Sequence, residues 1–219
     1  MAAGTMRRVQ LMLLLQLCPG ILTLAVRSLD EGVLRIAVPE RREVYNNGKI
    51  YDITHLITPE MSKWGTADGM GQVVTVIDSI KNGPALVVDV PRDSNISAKV
   101  MKSLQISKGV HRVLFRTLNT DRKLMYQTEF DSNYVGIVKD GAQWIVENTD
   151  IKLVGIDFLS IATYDDAVPT HQALLRTREI VVVEGLKLED IEAGIYDLHC
   201  LPIKVLGAHG TPTRCILME

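Results

Sequence analysis

The chain has 219 residues, of which 47% are hydrophobic and 23% are charged. This length and apolar content suit a single domain with one full-sized core. The net charge is -2 at pH 7, and no stripe of lysine and arginine alternates with aromatic residues, which argues against a nucleic-acid-binding protein.

Residues 1–25 have the layout of a secretory signal peptide. Arg7 and Arg8 precede a leucine-rich stretch, and small residues follow at its end. A transmembrane anchor is the alternative, but it needs about 18 to 20 uninterrupted apolar residues, and Gln16 and Pro19 break this stretch. We therefore predict a secreted, extracellular protein with no membrane span in the mature chain.

The mature chain divides into a lead-in over residues 26–48 and one domain over residues 49–219. Two segments have apolar residues at helical spacing, 97–104 and 141–147, the second after a possible cap at Asp140. Strand-like runs, mostly β-branched and bounded by Gly, Pro or Asn, are more numerous. They are 34–38, 50–57, 73–77, 86–90, 112–116, 153–158, 179–183, 194–206 and 214–218. The pattern predicts a single mixed, strand-rich α/β domain.

Asn82-Gly83 is a turn signal directly in front of the strand-like run at residues 86–90. We predict a tight turn over residues 81–84. Further along, Asn95-Ile96-Ser97 fits the glycosylation pattern N-x-[ST], which agrees with secretion but also arises by chance.

Cys18 would leave with the signal peptide, so Cys200 and Cys215 remain as an even pair in an oxidising compartment. A simple hairpin centred near His209 places residue 200 opposite residue 218 and residue 215 opposite residue 203. The two cysteines are then not directly opposed, and the sequence leaves a disulfide open.

The common catalytic motifs of other enzyme classes are missing. The sequence has no G-x-S-x-G elbow, no complete dinucleotide-binding loop, no Walker A sequence and no Cys-x-x-Cys pair. A polar cluster remains in the C-terminal half. Carboxylates and an imidazole at strand ends are a common arrangement of metal ligands, but a solvated turn and a packing histidine explain the same spacing. The cluster consists of Asp157, Ser160, Tyr164-Asp165-Asp166, His171 and Glu184.

Several separate blocks of the chain, in the right order from about residue 49 to the end, resemble the cyclase family, which includes the kynurenine formamidases (arylformamidases). The likeness is to a secreted plant branch, which implies a location in the apoplast or cell wall. The blocks are Tyr51-Asp52-Ile53-Thr54-His55, Pro59-Glu60-Met61, Trp64-Gly65, Pro84 through Pro91, Phe115-Arg116-Thr117, Lys139 through Trp144, Gly155-Ile156-Asp157 with Ser160, His171, Glu184, and Tyr196 through Pro202.

The resemblance implies a swivelling β/β/α cyclase-like fold, a homodimer, and a divalent metal, often zinc or manganese. It also implies hydrolysis of a small amide such as N-formyl-L-kynurenine, a reaction of tryptophan catabolism. His171 and Glu184 match two metal ligands of the family, and Trp64 matches an aromatic residue that contacts the substrate.

The family signature H-x-G-T-H-x-D-x-P-x-H, which supplies the other metal ligands and a histidine for proton transfer, is missing from the sequence. In the family it lies between the segment that ends here at Gly83 and the strand that starts at Ala85, and here those segments are fused. Asp52 and His55 are the nearest substitutes, but residues three apart on a strand point to opposite faces. We assign no catalytic residue and expect metal binding to be weak or lost.

Two functions from different classes follow from these observations. One is a metal-dependent amide hydrolase of the kynurenine formamidase type. The other is a secreted, non-catalytic cyclase-like scaffold or binding protein, or the product of a splice or gene-model variant that omits the signature.

Overall fold

The structure, a computed structural model, describes residues 44–45, 48–55, 82–203 and 210–219. These residues belong to one compact unit, Glu43–Glu219. Eight strands form one mixed sheet in the order β1-β2-β8-β7-β3-β4-β5-β6. The strands are β1 (Val44–Tyr45), β2 (Gly48–Asp52), β3 (Asn82–Asp89), β4 (Arg112–Arg116), β5 (Leu153–Ile156), β6 (Val181–Val183), β7 (Gly194–Pro202) and β8 (Thr213–Met218).

Helices connect the parallel half of the sheet. Strands β3, β4, β5 and β6 pair in parallel, whereas β7, β8, β2 and β1 pair antiparallel. The helices are α1 (Ala98–Ser103), α2 (Leu118–Asp121), α3 (Lys139–Asn148) and α4 (Ala167–Leu175), with a 3-10 turn at Leu124–Tyr126. Because β3 to β6 are parallel, their carboxyl ends and the loops that follow meet at one edge of the sheet, where ligand sites of α/β proteins commonly lie.

The two faces of the sheet contribute to different parts of the core. On β4, Val113 and Phe115 pack with the helices, whereas Leu114 packs on the opposite face with residues of β7 and β8. This alternation follows from the two-residue period of a strand. Strands β5 and β6 are buried along their whole length, as expected for parallel strands covered on both faces. The α/β, strand-rich prediction is confirmed.

The predicted turn at residues 81–84 is wrong at its described positions, because Asn82 already begins β3. Asn82 pairs with His199 of β7, and Pro84 pairs with Asp197. Pairing with β7 therefore overrides the local turn signal. Gly83 still has a special role, since its φ of +118° is a conformation that other residues rarely adopt.

The helix predictions are partly confirmed. Helix α1 lies within the predicted 97–104 segment and is capped by the Ser97 hydroxyl, which accepts from the Val100 amide at 3.3 Å. The predicted cap at Asp140 is wrong, because α3 begins at Lys139 and Asp140 lies in its first turn. A carboxylate from a distant segment supplies the missing acceptor: Asp166 Oδ2 accepts from the Lys139 amide at 3.0 Å.

Cys200 and Cys215 lie directly opposite each other on β7 and β8 and form a disulfide. The predicted hairpin register is therefore wrong by three residues. Burial explains the difference: in the observed register Leu198 also faces Leu217, and all four side chains point into the core.

Loss of this disulfide is expected to lower the free energy of unfolding by about 3 kcal/mol, the value for closing a loop of about 15 residues. The double variant Cys200→Ala/Cys215→Ala tests this by urea denaturation. Reductant should lower the stability of the unmodified protein by a similar amount and leave the double variant unchanged. Equal denaturation midpoints for the oxidised protein and the double variant would contradict the prediction.

Candidate functional site

His171 and Glu184 come together at the carboxyl edge of the parallel strands. His171 lies on α4, which follows β5, and Glu184 comes directly after β6. The histidine Nε2 is 3.4 Å from Glu184 Oε1, and its Nδ1 is 2.7 Å from the Ala167 carbonyl oxygen. Because a carbonyl only accepts, Nδ1 carries a proton and Nε2 is the nitrogen that faces the carboxylate.

The Glu184 carboxylate is nearly inaccessible, with 6% of the side chain exposed, whereas 34% of the His171 side chain is exposed. Glu184 Oε1 also accepts from the Ile161 amide at 2.7 Å. The hydrogen bond with Glu184 raises the pKa of His171, and burial opposes that shift. The pair therefore favours an imidazolium beside a carboxylate.

Tyr134 is a further member of this site that the sequence did not reveal. Its ring is 3% exposed and packs against Phe158, with ring centres 4.4 Å apart. Burial raises the pKa of Tyr134, and the charge of Glu184 adds to that shift, whereas the nearby Ser160 side chain opposes it. Tyr134 lies in an irregular loop without apolar periodicity, so no local pattern indicates its position.

Asp157, which the sequence grouped with His171, serves a different set of contacts. Its side chain is 2% exposed and accepts hydrogen bonds from Thr117 and Thr120 at the start of α2. The Thr117 amide and hydroxyl lie at 2.7 and 2.8 Å, and the Thr120 hydroxyl and amide lie at 2.6 and 3.2 Å. Burial raises the pKa of Asp157, whereas these hydrogen bonds lower it. The carboxylate thus ties β5 to α2.

The neighbouring acidic residues are structural or solvated. Asp165 is exposed, as a solvated turn predicts. Asp166 precedes α4 and accepts from the Lys139 amide, so it links α3 to α4. Neither carboxylate is paired with His171 in the structure.

The surroundings of Asp52 and His55 are separate, in agreement with the expectation that the two do not hold one ion together. Asp52 forms an ion pair with Arg214, whereas His55 is 7% exposed and its ring lies 5.3 Å from that of Tyr126. Burial lowers the pKa of His55. Trp64 lies outside the described residues, so its substrate-binding role stays a prediction, as does the signal peptide at residues 1–25.

The His171–Glu184 pair suits two ligands of one metal ion but does not make a catalytic site. Two ligands about 2.1 Å from a tetrahedral zinc ion lie about 3.4 Å apart, which matches the observed separation. Within the described part of the chain, however, no three His, Cys, Asp or Glu side chains lie close enough to hold one ion. Residues 56–81, outside that part, contain no histidine. Since a catalytic zinc needs about three protein ligands, the described residues do not fit such a site.

His171 also contributes to the wall of a groove of about 800 Å³ beside α3 and α4. Two cationic side chains, Lys139 and Arg176, stand on its wall with His171. Within the described ranges, no helix combines the length and apolar character needed to cross a bilayer.

The family model described as "Putative cyclase" matches residues 51–163. This chain belongs to the cyclase family. Cyclase-like protein 2 of Arabidopsis thaliana is 48% identical, and the match covers 87% of each protein. Kynurenine formamidase of Bacillus cereus is 29% identical over 68% of this chain and 69% of its own.

A solved structure described as a potential metal-dependent hydrolase with cyclase activity shares the fold, with a TM-score of 0.65 and 24% identity. The superposition covers 98% of that structure and 78% of this chain. The predicted fold family is thereby confirmed.

The alignment with Cyclase-like protein 2 has more positions than the number of residues of this chain that it includes. It runs over 236 residues, whereas 87% of 219 residues is about 190, which leaves about 45 positions of the relative without a counterpart here. This chain therefore lacks about 45 of the aligned positions of that relative.

The His171–Glu184 pair predicts a pH-dependent contribution to stability. Because the folded-state pKa of His171 is raised above the usual value of about 6.5, this contribution is fully present below that pH and is lost as pH rises through the folded-state pKa. Glu184→Gln, which keeps an oxygen for the Ile161 amide, should cost most stability at the acidic end. Urea denaturation between about pH 5.5 and 8.5 with a chelator checks this. A stability difference that stays constant across this range would contradict it.

Proposed function

We propose that this chain is a secreted cyclase-family protein that keeps the scaffold of a kynurenine formamidase-type amide hydrolase but does not hydrolyse such amides. The observation that carries the proposal is the isolated His171–Glu184 pair: two residues that match family metal ligands are in contact, and the described part of the chain offers no third. A metal in the family would supply a bound water of lowered pKa as the nucleophile.

Assays with N-formyl-L-kynurenine test the proposal directly. With added zinc or manganese, we expect hydrolysis no faster than in buffer and weak metal binding by titration calorimetry. His171→Ala and Glu184→Ala should leave any residual rate unchanged. Metal-dependent turnover that either substitution abolishes would overturn the non-catalytic proposal.

An active metal-dependent hydrolase is the second candidate. It is favoured by the 3.4 Å separation of His171 Nε2 and Glu184 Oε1, which suits a shared ion. In that case further metal ligands come from outside the described residues or from a second copy of the chain. A second copy is available because we also propose that the chain forms a homodimer. Size-exclusion chromatography with light scattering tests the dimer, and a monomer at micromolar concentration would exclude it.

Secretion is the remaining part of the proposal. The Cys200–Cys215 disulfide supports it, because disulfides persist mainly in oxidising compartments. Mass spectrometry of the secreted protein should find a mature N-terminus near Val26.

Sequencing of the transcript across codons 79 to 91 separates a true isoform from an artefact of the gene model.

A further inference from the structure

One sequence motif remains that the proposed function does not use. Asn95-Ile96-Ser97 lies in the loop between β3 and α1, directly after a polar turn at residues 92–94. Asn95 is exposed, and its Oδ1 accepts from the Gly136 amide at 3.4 Å. Its Nδ2 has no hydrogen-bond partner among the described residues. Asn95 is therefore a surface residue whose amide nitrogen, the atom that glycosylation modifies, is not held by a hydrogen bond within the described residues.

The other two residues of the motif have structural roles in the folded protein. Ile96 is fully buried and packs with the helices, and the Ser97 hydroxyl accepts from the Val100 amide as the cap of α1. Glycosyl transfer needs this hydroxyl beside the asparagine, in a chain that is free to bend. Modification must therefore come before α1 forms, as the chain enters the secretory pathway.

The fold tolerates a large group at this position. A substituent on Asn95 Nδ2 extends into solvent, while Ile96 still packs in the core and Ser97 still caps the helix. The buried Cys200–Cys215 disulfide independently indicates folding in an oxidising compartment, which is where N-linked oligosaccharides are attached.

We infer that Asn95 carries an N-linked oligosaccharide. In the transfer, Asn95 Nδ2 bonds to the anomeric carbon of a lipid pyrophosphate-linked oligosaccharide. The bond from that carbon to the pyrophosphate oxygen breaks, the lipid pyrophosphate leaves with the electron pair, and the amide loses one proton to a base of the transferase. Asn148-Thr149-Asp150 lacks the required hydroxyl at its third position, and no other N-x-[ST] site occurs, so one oligosaccharide is expected per chain.

The test expresses the full chain, with its own N-terminal residues, in plant cells and isolates the protein from the medium. Treatment with a peptide N-glycosidase should reduce the mass by one oligosaccharide and convert Asn95 to aspartate in the peptide map. Asn95→Gln should secrete a chain of the lower mass that the enzyme does not change.

Substitutions at Ser97 separate modification from helix capping. Ser97→Thr keeps both the motif and a capping hydroxyl, so the oligosaccharide should remain. Ser97→Asn keeps a good cap but destroys the motif, so the oligosaccharide should disappear while the thermal unfolding midpoint matches that of the deglycosylated protein.

This inference rests on the secretion part of the proposed function, and the two fail differently. Secreted protein with unmodified Asn95 would overturn the inference and leave secretion intact. Protein retained in the cytosol with an intact Met1 would overturn both. An oligosaccharide that survives in Ser97→Asn would also contradict the assignment.

Discussion

Replacing Asp157 with alanine is expected to lower the free energy of unfolding by about 3 kcal/mol or more, because each buried donor that loses its acceptor costs about 1 to 3 kcal/mol. The carboxylate accepts four hydrogen bonds of 3.2 Å or less from Thr117 and Thr120. Two of these donors are backbone amides at the start of α2, where they have no partner within the helix. Alanine leaves all four donors without that acceptor, the Thr117 pair in a buried position and the Thr120 pair in a partly buried one.

Asp165→Ala is the matched control, because it removes a carboxylate of the same kind from an exposed position on the loop that follows β5. It should change stability by no more than about 0.5 kcal/mol. Chemical denaturation of both variants gives the comparison. A loss of less than about 1 kcal/mol for Asp157→Ala would show that water or local rearrangement satisfies the donors.

The parts of the fold that could be predicted from sequence are those fixed by local pattern. Strand β4 has the predicted bounds because it is an apolar run buried on both faces. The turn at Asn82-Gly83 and the register of Cys200 and Cys215 were wrong because pairing with distant strands decided both. Helix α4 was not predicted, since Pro169 in its first turn is compatible with a helix start but suggests a loop when read alone.

The candidate site was predicted only in part, again because contacts between distant segments decide it. His171 and Glu184 came from the family resemblance, and the structure places them in contact. Their spacing alone favoured a packing histidine and a glutamate that closes a strand over a pair of metal ligands. Tyr134 was missed and Asp157 was grouped with the wrong neighbours, because both positions depend on contacts between loops that follow different strands.

Hydrogen bonds within the chain orient both members of the His171–Glu184 pair. His171 donates to the Ala167 carbonyl of its own helix, and Glu184 accepts from the Ile161 amide. Both contacts lie C-terminal to the junction at Asn82. The pair therefore keeps its geometry whether or not a segment precedes β3, and its presence alone does not indicate activity.

Insertion of the missing segment is expected to have the largest effect on function. We expect the roughly 45 additional positions of Cyclase-like protein 2 to contain the family signature. The resemblance places the signature between Gly83 and Ala85, but Asn82 and Gly83 already pair with β7 as part of β3, so the insertion point is moved to the bond between Lys81 and Asn82. Inserted there, the segment should raise affinity for zinc or manganese at least about 100-fold, because loss of even one supporting contact of a metal ligand costs 10- to 100-fold. Strand β3 starts after the insertion point, so its pairing with β7 should be preserved.

Metal affinity is the primary measurement, since it does not depend on knowing the substrate, and hydrolysis of N-formyl-L-kynurenine is the second. The same insert with its histidines replaced by alanine controls for changes in folding. In the chimera that carries the unmodified insert, His171→Ala should return metal affinity to that of the original chain. The ion then loses a ligand that the insert cannot replace. A folded chimera that binds metal no better than this chain, or one that is indifferent to His171→Ala, would show that the His171–Glu184 pair is not part of the family's metal site.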